Sequence, residues 1–220
     1  MKRSEINNQI RKALDIMAKC RFNLPDWASW TPEEWAKKGN ECAEIRDCSM
    51  GWDITDFGWG DFPNIGLTLV TLRNGKANDP KYTKPYCEKI MIVGENQVTP
   101  YHFHWYKTED IINRGGGTLC MKLYKADRET EQPTEDEITV SIDGVETKVK
   151  PGETVRIEPG RSITYVPYLY HKFWGEGGDC LVGEVSTTND DAADNRFLEP
   201  KGRFPEIEED EAHAQNRTPP

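Results

Sequence analysis

Long apolar runs are missing from this chain, basic residues are outnumbered, cysteines are scattered, and histidine occurs only 4 times in 220 residues. Each scarcity removes a class of function. The longest apolar stretches resemble "KIMIVG", far short of the roughly 20 residues that cross a bilayer as a helix, so no transmembrane segment and no membrane partner are expected. The opening "MKRSEINNQIRKALDIMAKC" is basic at its start but lacks the apolar middle of a secretion signal. With 28 basic against 38 acidic residues the net charge is -10, which repels a phosphate backbone and makes nucleic acid an unexpected partner. The six cysteines, at 20, 42, 48, 87, 120 and 180, form no CxxC pair and no dense framework. They read as reduced, buried thiols of a cytoplasmic protein. A chain of this length supports one sizeable core.

What is present divides into a helical start and a β-rich remainder. Ile6, Ile10, Leu14 and Met17 recur at helical spacing after Ser4, which predicts an amphipathic helix over residues 4–19 capped by the Ser4 hydroxyl. In "SWTPEEWAKKG", Thr31 is the expected N-cap, Pro32 the first helical residue, Glu34 the other half of a capping box and Gly39 the stop. "NECAEIRDC" predicts a third helix. Beyond about residue 50 the chain turns to short β-type runs separated by Gly, Pro and Asp, from "IGLTLVTLRNG" to "DCLVGEVST", a pattern of barrels and sandwiches. Asp143-Gly144, between "ITVSI" and "VETKV", predicts a two-residue hairpin. The acidic tail "PEIEEDEAHAQNRTPP" is expected to be either disordered or laid over a neighbouring surface, with His213 in it solvated.

The scarce histidines concentrate in "TPYHFHWYKTEDIINRGGG". On a strand His102 and His104 face the same way, and Glu109 follows across a chain reversal, so three ligands come from one short stretch. His171 in "VPYLYHKFWGEGG" is the fourth candidate. Three nitrogens and one carboxylate suit a divalent ion; an octahedral Mn²⁺ or Fe²⁺ keeps two positions open, and Co²⁺ or Zn²⁺ are alternatives. The competing reading makes these residues hydrogen-bonded core histidines and a turn glutamate. Burying them together without an ion leaves polar groups badly compensated.

"HFHWYKTEDIINRGG" resembles the first cupin motif, and "GRSITYVPYLYH" resembles the second. Nearly the whole chain, including its helical start, "KTEDIINRGGG" and "GEVSTTNDD", is similar to the cupin D-lyxose isomerases. The resemblance implies an all-β core, a cupin (jelly-roll-like) β-barrel over residues 51–204, with a helical N-terminal extension over 1–50 packed on it and an acidic tail over 205–220. It further implies a homodimer that interconverts D-lyxose and D-xylulose, and D-mannose and D-fructose, with Mn²⁺ held at His102, His104, Glu109 and His171. The chain departs from the general cupin pattern in three places: Gly94 lies farther from His102, Tyr168 replaces the glycine after the second-motif proline, and the closing asparagine is absent.

An aldose–ketose isomerase moves a proton between C1 and C2, so it needs a base in reach of the C2 proton. Glu184, alone among apolar neighbours in "CLVGEVST", is the candidate, against a reading as an outward residue. Lys107, between the ligands, is the candidate to bind or polarise a sugar hydroxyl, and Lys89 a second substrate-binding lysine, each against a reading as a solvated charge. Gly115 to Gly117 lack the following lysine and helix of a phosphate cradle and predict a tight turn, so an unphosphorylated sugar is expected. Trp52, Trp59, Trp105 and Trp174 are candidates for a sugar-stacking wall, with core packing as the competing reading. Asp53, Asp56 and Asp61 could bind sugar hydroxyls, but aspartates among glycines read as turn residues and are left off the catalytic set. Two other functions share this pattern: an iron-dependent dioxygenase and a non-catalytic sugar-binding cupin.

Overall fold

Side chains alternate along a strand, and β2, Leu67–Arg73, uses both of its faces. Leu67 and Leu69 enter the main core, whereas Val70 and Leu72 lie under helix α1, Arg3–Lys19. A strand covered on both sides can be buried throughout, which accounts for the continuous burial of "LTLVTL". β3, Tyr86–Val93, follows the same rule, with Met91 and Val93 inward and Ile90 and Ile92 beneath the helix. Helix α1 buries Ile6, Ile10, Ala13 and Met17; Ala13 rather than the expected Leu14 completes the stripe, and Leu14 lies half-buried at its flank.

The computed structural model describes residues 1–202 and 205–213. After α1 come two short helices, α2 at Pro32–Trp35 and α3 at Ala43–Asp47. The remaining strands are β1 (Gly51–Thr55), β4 (Thr99–Phe103), β5 (Glu109–Lys125), β6 (Ile138–Ile142), β7 (Val145–Val149), β8 (Thr154–Ile157), β9 (Ser162–Tyr165), β10 (Leu169–Thr187) and β11 (Arg196–Phe197). Among the described residues they form one sheet in the order β1-β2-β3-β10-β5-β9-β6-β7, with β4 on β10, β11 on β4 and β8 on β5. All of these ladders are antiparallel. The all-β core with its helical start is the cupin-like architecture the resemblance implies. The sheet does not close: its path ends at β1 and β7, and the interior is sealed by packing between the two halves.

Two long strands give the sheet its fold-over. β5 and β10 pair along almost their whole length, with register shifts between Glu176 and Cys180 and between Leu181 and Val182. Gly115 to Gly117 lie inside β5 at this bulge and do not form the expected tight turn. Gly116 has φ +94, and a Cβ there would sit 2.1 Å from Asp179 O. No side chain fits so close an approach, which is why glycine occupies the bend. The Asp143-Gly144 hairpin forms as expected, with φ of 52° and 80°.

Thr31 and Glu34 make the expected capping box. At α1, however, Lys2 is the N-cap and Ser4 lies inside the first turn, where its N–H and hydroxyl donate to the Asp210 carboxylate at 2.9 and 2.7 Å. The acidic tail has taken over the capping. Residues 205–213 are laid along the helix start, with Glu209 paired to Arg3 and Glu211 accepting from Asn7, and His213 is exposed. The last part of the tail, 214–220, lies outside the described residues.

Candidate metal centre and active site

β4 pairs with β10 so that His102 stands opposite His171. His104, one residue beyond the strand, keeps the facing of His102. Glu109 is the first residue of β5 and shares the inward parity of Ile111. The ligand-type atoms of His102, His104 and His171 lie within 4.8 Å of one another, and all three rings are buried. Glu109 Oε1 is 3.3 Å from both His104 Nε2 and His171 Nε2.

The protonation of these rings follows from their outer nitrogens. His102 Nδ1 faces Pro100 O at 2.9 Å, His104 Nδ1 faces Asp194 O at 2.6 Å, and His171 Nδ1 faces Leu169 O at 2.9 Å. A carbonyl oxygen only accepts, so each Nδ1 carries the proton and each Nε2 is left with a bare lone pair. Burial and then the adjacent His171 and His104 press the His102 pKa well below its ordinary value, and burial pushes His171 down to about 4, so both are neutral near pH 7. His102 Nε2 and His171 Nε2 nevertheless sit 3.0 Å apart, and His104 Nε2 is buried without a hydrogen-bond partner. Converging lone pairs repel unless a cation lies between them. Two ligand nitrogens each about 2.1 Å from one ion, at a right angle, stand about 3.0 Å apart. The donor set therefore fits a divalent metal.

Stacking holds the rings in place. Tyr165 lies against His171 with centroids 4.3 Å apart, and Phe197 lies against His102 at 5.1 Å.

Beside the imidazoles is a buried cluster of charge. Lys107 Nζ is 2.7 Å from Glu109 Oε2 and 3.0 Å from Glu184 Oε1. Lys89 Nζ is 3.4 Å from the same Glu184 oxygen and donates to Asn189 Oδ1 at 2.8 Å. Parity explains the placement: Glu184 follows inward Val182 on β10, and Lys89 precedes inward Met91 on β3. Lys89, Lys107, Glu109 and Glu184 are each no more than 4% exposed. Burial opposes the charge of Lys107, but Glu109, Glu184 and Asp191 outweigh it and raise its pKa; Glu184 and Asp191 do the same for Lys89. Burial likewise works against the Glu109 carboxylate, and the Lys107 ammonium overcomes it and holds the pKa well below the usual range. The two lysines thus stay ammonium groups and Glu109 stays an anion.

The three histidines, Lys89, Lys107, Glu109 and Glu184 line one cavity. Its apolar walls are aromatic and aliphatic, including Phe57, Phe173, Phe197 and Leu69, and its polar end adds Asp53, Asp191 and Asn195. A family model described as D-lyxose isomerase matches residues 1–217. The chain belongs to the D-lyxose isomerase family.

As a member of the D-lyxose isomerase family it is an aldose–ketose isomerase, which decides against the dioxygenase and the non-catalytic cupin. The D-lyxose/D-mannose isomerase of Escherichia coli O157:H7 is 49% identical over 214 residues, covering 96% of this chain and 94% of that one. That of Serratia proteamaculans is 47% identical over 214 residues, covering 96% and 93%. Among solved structures, the Cellulomonas parahominis L-ribose isomerase superposes with a TM-score of 0.62 at 17% identity, covering 94% of this chain and 98% of that one. The Acinetobacter sp. DL28 L-ribose isomerase in complex with L-ribose gives a TM-score of 0.61 with the same identity and coverage. These likenesses establish a shared fold.

Within this D-lyxose isomerase family member, the fold brings together the candidate metal ligands, base and lysines named from sequence: His102, His104, Glu109, His171, Glu184, Lys107 and Lys89. The tryptophans are elsewhere. Trp52 donates to Ala28 O, Trp105 to Glu131, Trp174 to Glu176, and Trp59 packs on the core, so phenylalanines form the wall instead. Asp56 is a turn residue, accepting from Gly58 and Gly60, and Asp61 accepts from Asn64. Asp53 differs from both, lying on β1 and lining the cavity. The signal missed for it was its place opposite Leu69, an inward residue of β2. Asn189 and Asp191, from the loop after β10, carried no periodicity to reveal them.

Proposed function

We propose that this isomerase interconverts D-lyxose and D-xylulose, and also D-mannose and D-fructose, by proton transfer between C1 and C2 through an enediol(ate), with Mn²⁺ at His102, His104, Glu109 and His171. When bound, the ion supplies positive charge beside the two sugar oxygens as they exchange carbonyl and hydroxyl character. Glu184 takes the proton from C2 of the open-chain aldose, exchanges it with solvent and delivers a proton to C1. The C1 oxygen gains a proton as the C2 hydroxyl loses one, so the sugar leaves as its isomer with no atom added or lost. Lys107, an ammonium between Glu109 and Glu184, orients the base and donates to a sugar oxygen as negative charge develops there. Lys89 holds Glu184 from the other side and binds a hydroxyl. The apolar wall, with Phe57 and Phe197, limits water at the reacting carbons.

One observation carries this reading: Glu184, clasped by two lysines, shares a single buried cavity with the four metal-ligand groups. Both sugars fit because they have the same arrangement at the reacting carbons and differ in chain length. The proposal includes the homodimer implied by the resemblance and a cytoplasmic enzyme, for which the six unpaired cysteines speak.

The test is turnover of metal-stripped protein with D-lyxose and with D-mannose, before and after adding Mn²⁺. Ketose formation from both sugars only after addition is expected. Equal turnover in the stripped protein removes the metal, and turnover of neither sugar removes the substrate assignment.

A further inference from the structure

His104 differs from the other two imidazoles in where its Nδ1 proton goes. His102 and His171 donate to Pro100 O and Leu169 O, each two residues earlier on the same stretch of chain. His104 donates across the fold to Asp194 O, 90 residues later in sequence, at 2.6 Å. The side chain of that same Asp194 turns back on the segment that carries His104. Its Oδ1 accepts from Tyr106 N and its Oδ2 from Lys107 N, both at 2.9 Å. Residues 104–108 run between β4 and β5 outside any strand, so these amides have no ladder partner. Asp194 is 7% exposed and supplies the acceptors they need.

We propose that Asp194 is a positioning residue that sets His104 and Lys107 together, an inference that rests on the metal and lysine roles given above. Its carbonyl fixes the tautomer and ring orientation of His104, which leaves Nε2 bare toward the metal site. Its carboxylate fixes the backbone from which Lys107 reaches Glu109 and Glu184. A metal ligand and the lysine beside the base are therefore placed by one residue of the loop that follows β10. Two adjacent N–H donors call for two acceptor oxygens, which aspartate has. Asparagine keeps one oxygen and turns its NH₂ on the other amide, and alanine has neither. Without the clamp, nothing on the side chain holds the Asp194 carbonyl against His104.

The test uses the full chain with Asp194→Asn and Asp194→Ala. In the metal-free wild type, long-range ¹H–¹⁵N spectra of the imidazoles should show His104 as a single Nδ1–H tautomer, and the Tyr106 and Lys107 amides should resist exchange. In Asp194→Asn, His104 should become a mixture of tautomers while His102 and His171 keep theirs. Mn²⁺ affinity, read from the resonance of free Mn²⁺, should fall about 10- to 100-fold, as for other residues that orient metal-bound histidines. At saturating Mn²⁺ the variant should still show a kcat loss larger than its KM change, because Lys107 is displaced as well. A folded Asp194→Asn protein with wild-type tautomers and Mn²⁺ affinity within about twofold overturns the proposal. If neither variant folds, the wild type decides: an Nε2–H tautomer at His104, or rapid exchange at Tyr106 and Lys107, is equally fatal. Failure of the wild type to bind Mn²⁺ contradicts the metal assignment alone, since the tautomer and exchange readings need no ion.

Discussion

Lys107 donates from its ammonium to Glu184 Oε1 at 3.0 Å, with both side chains almost wholly withdrawn from solvent. The same ammonium lies 2.7 Å from Glu109 Oε2, so one cation joins the carboxylate proposed as a metal ligand to the carboxylate proposed as base. This coupling organises what substitution should do.

Glu184→Gln keeps the shape of the side chain and removes its capacity to take a proton. A positioned base contributes about 10² to 10⁴ in rate, and kcat should fall by that factor. Mn²⁺ affinity should stay within about twofold, because Glu184 is not among the ligand groups. Steady-state kinetics and metal titration on the same preparation check both halves.

Lys107→Met removes the cation and leaves two buried carboxylates facing each other. Breaking a buried ion pair costs about 3–5 kcal/mol, which in a chain of this size lowers Tm by roughly 6–20 °C. Thermal unfolding followed by circular dichroism should show the loss. A Tm within about 2 °C of the wild type would mean that the two carboxylates do not depend on Lys107.

Metal should stabilise as well as activate. An ion that binds only the folded state at 100 times its Kd adds about 2.7 kcal/mol, or roughly 5–11 °C in Tm. Stripped wild-type protein should show this rise on adding Mn²⁺, and His102→Ala should not. Scanning calorimetry with and without Mn²⁺ distinguishes them.

The metal-free protein should weaken in acid. His171 titrates near 6.5 when exposed and at about 4 when buried, and His102 is displaced in the same direction. Below 6.5 the unfolded chain binds protons that the folded chain refuses. Stability is therefore full above that pH and is lost as pH falls through the folded value. Urea unfolding of the stripped protein between pH 7 and pH 4 should show the decline, and replacing His171 by Phe should shrink it.

Much of this site was legible because strand periodicity is strict. The one-residue spacing of His102 and His104 is enough to place both on one face, and a lone glutamate among apolar residues on β10 had to point either into a polar cavity or out to solvent. The Asp143-Gly144 hairpin was legible for a local reason, since two residues with positive φ make the turn. Features set by distant contacts were not legible. Ser4 lost its capping role to Asp210, more than 200 residues later, and the glycines at 115–117 read as a turn because nothing local reveals that Asp179 O presses on Gly116. The departure at Tyr168 has its own account. The residue adopts φ 62°, the conformation that a glycine takes without strain, and its ring stacks on Phe103 while its N–H donates to His104 O. Packing there offsets a backbone cost of about 1–2 kcal/mol.

The most direct test of the account is to convert D-lyxose in D₂O with Mn²⁺-loaded protein and read the product by NMR. Proton transfer by an exchanging Glu184 predicts D-xylulose carrying deuterium at C1. D-xylulose formed without deuterium, or no ketose at all, would contradict it.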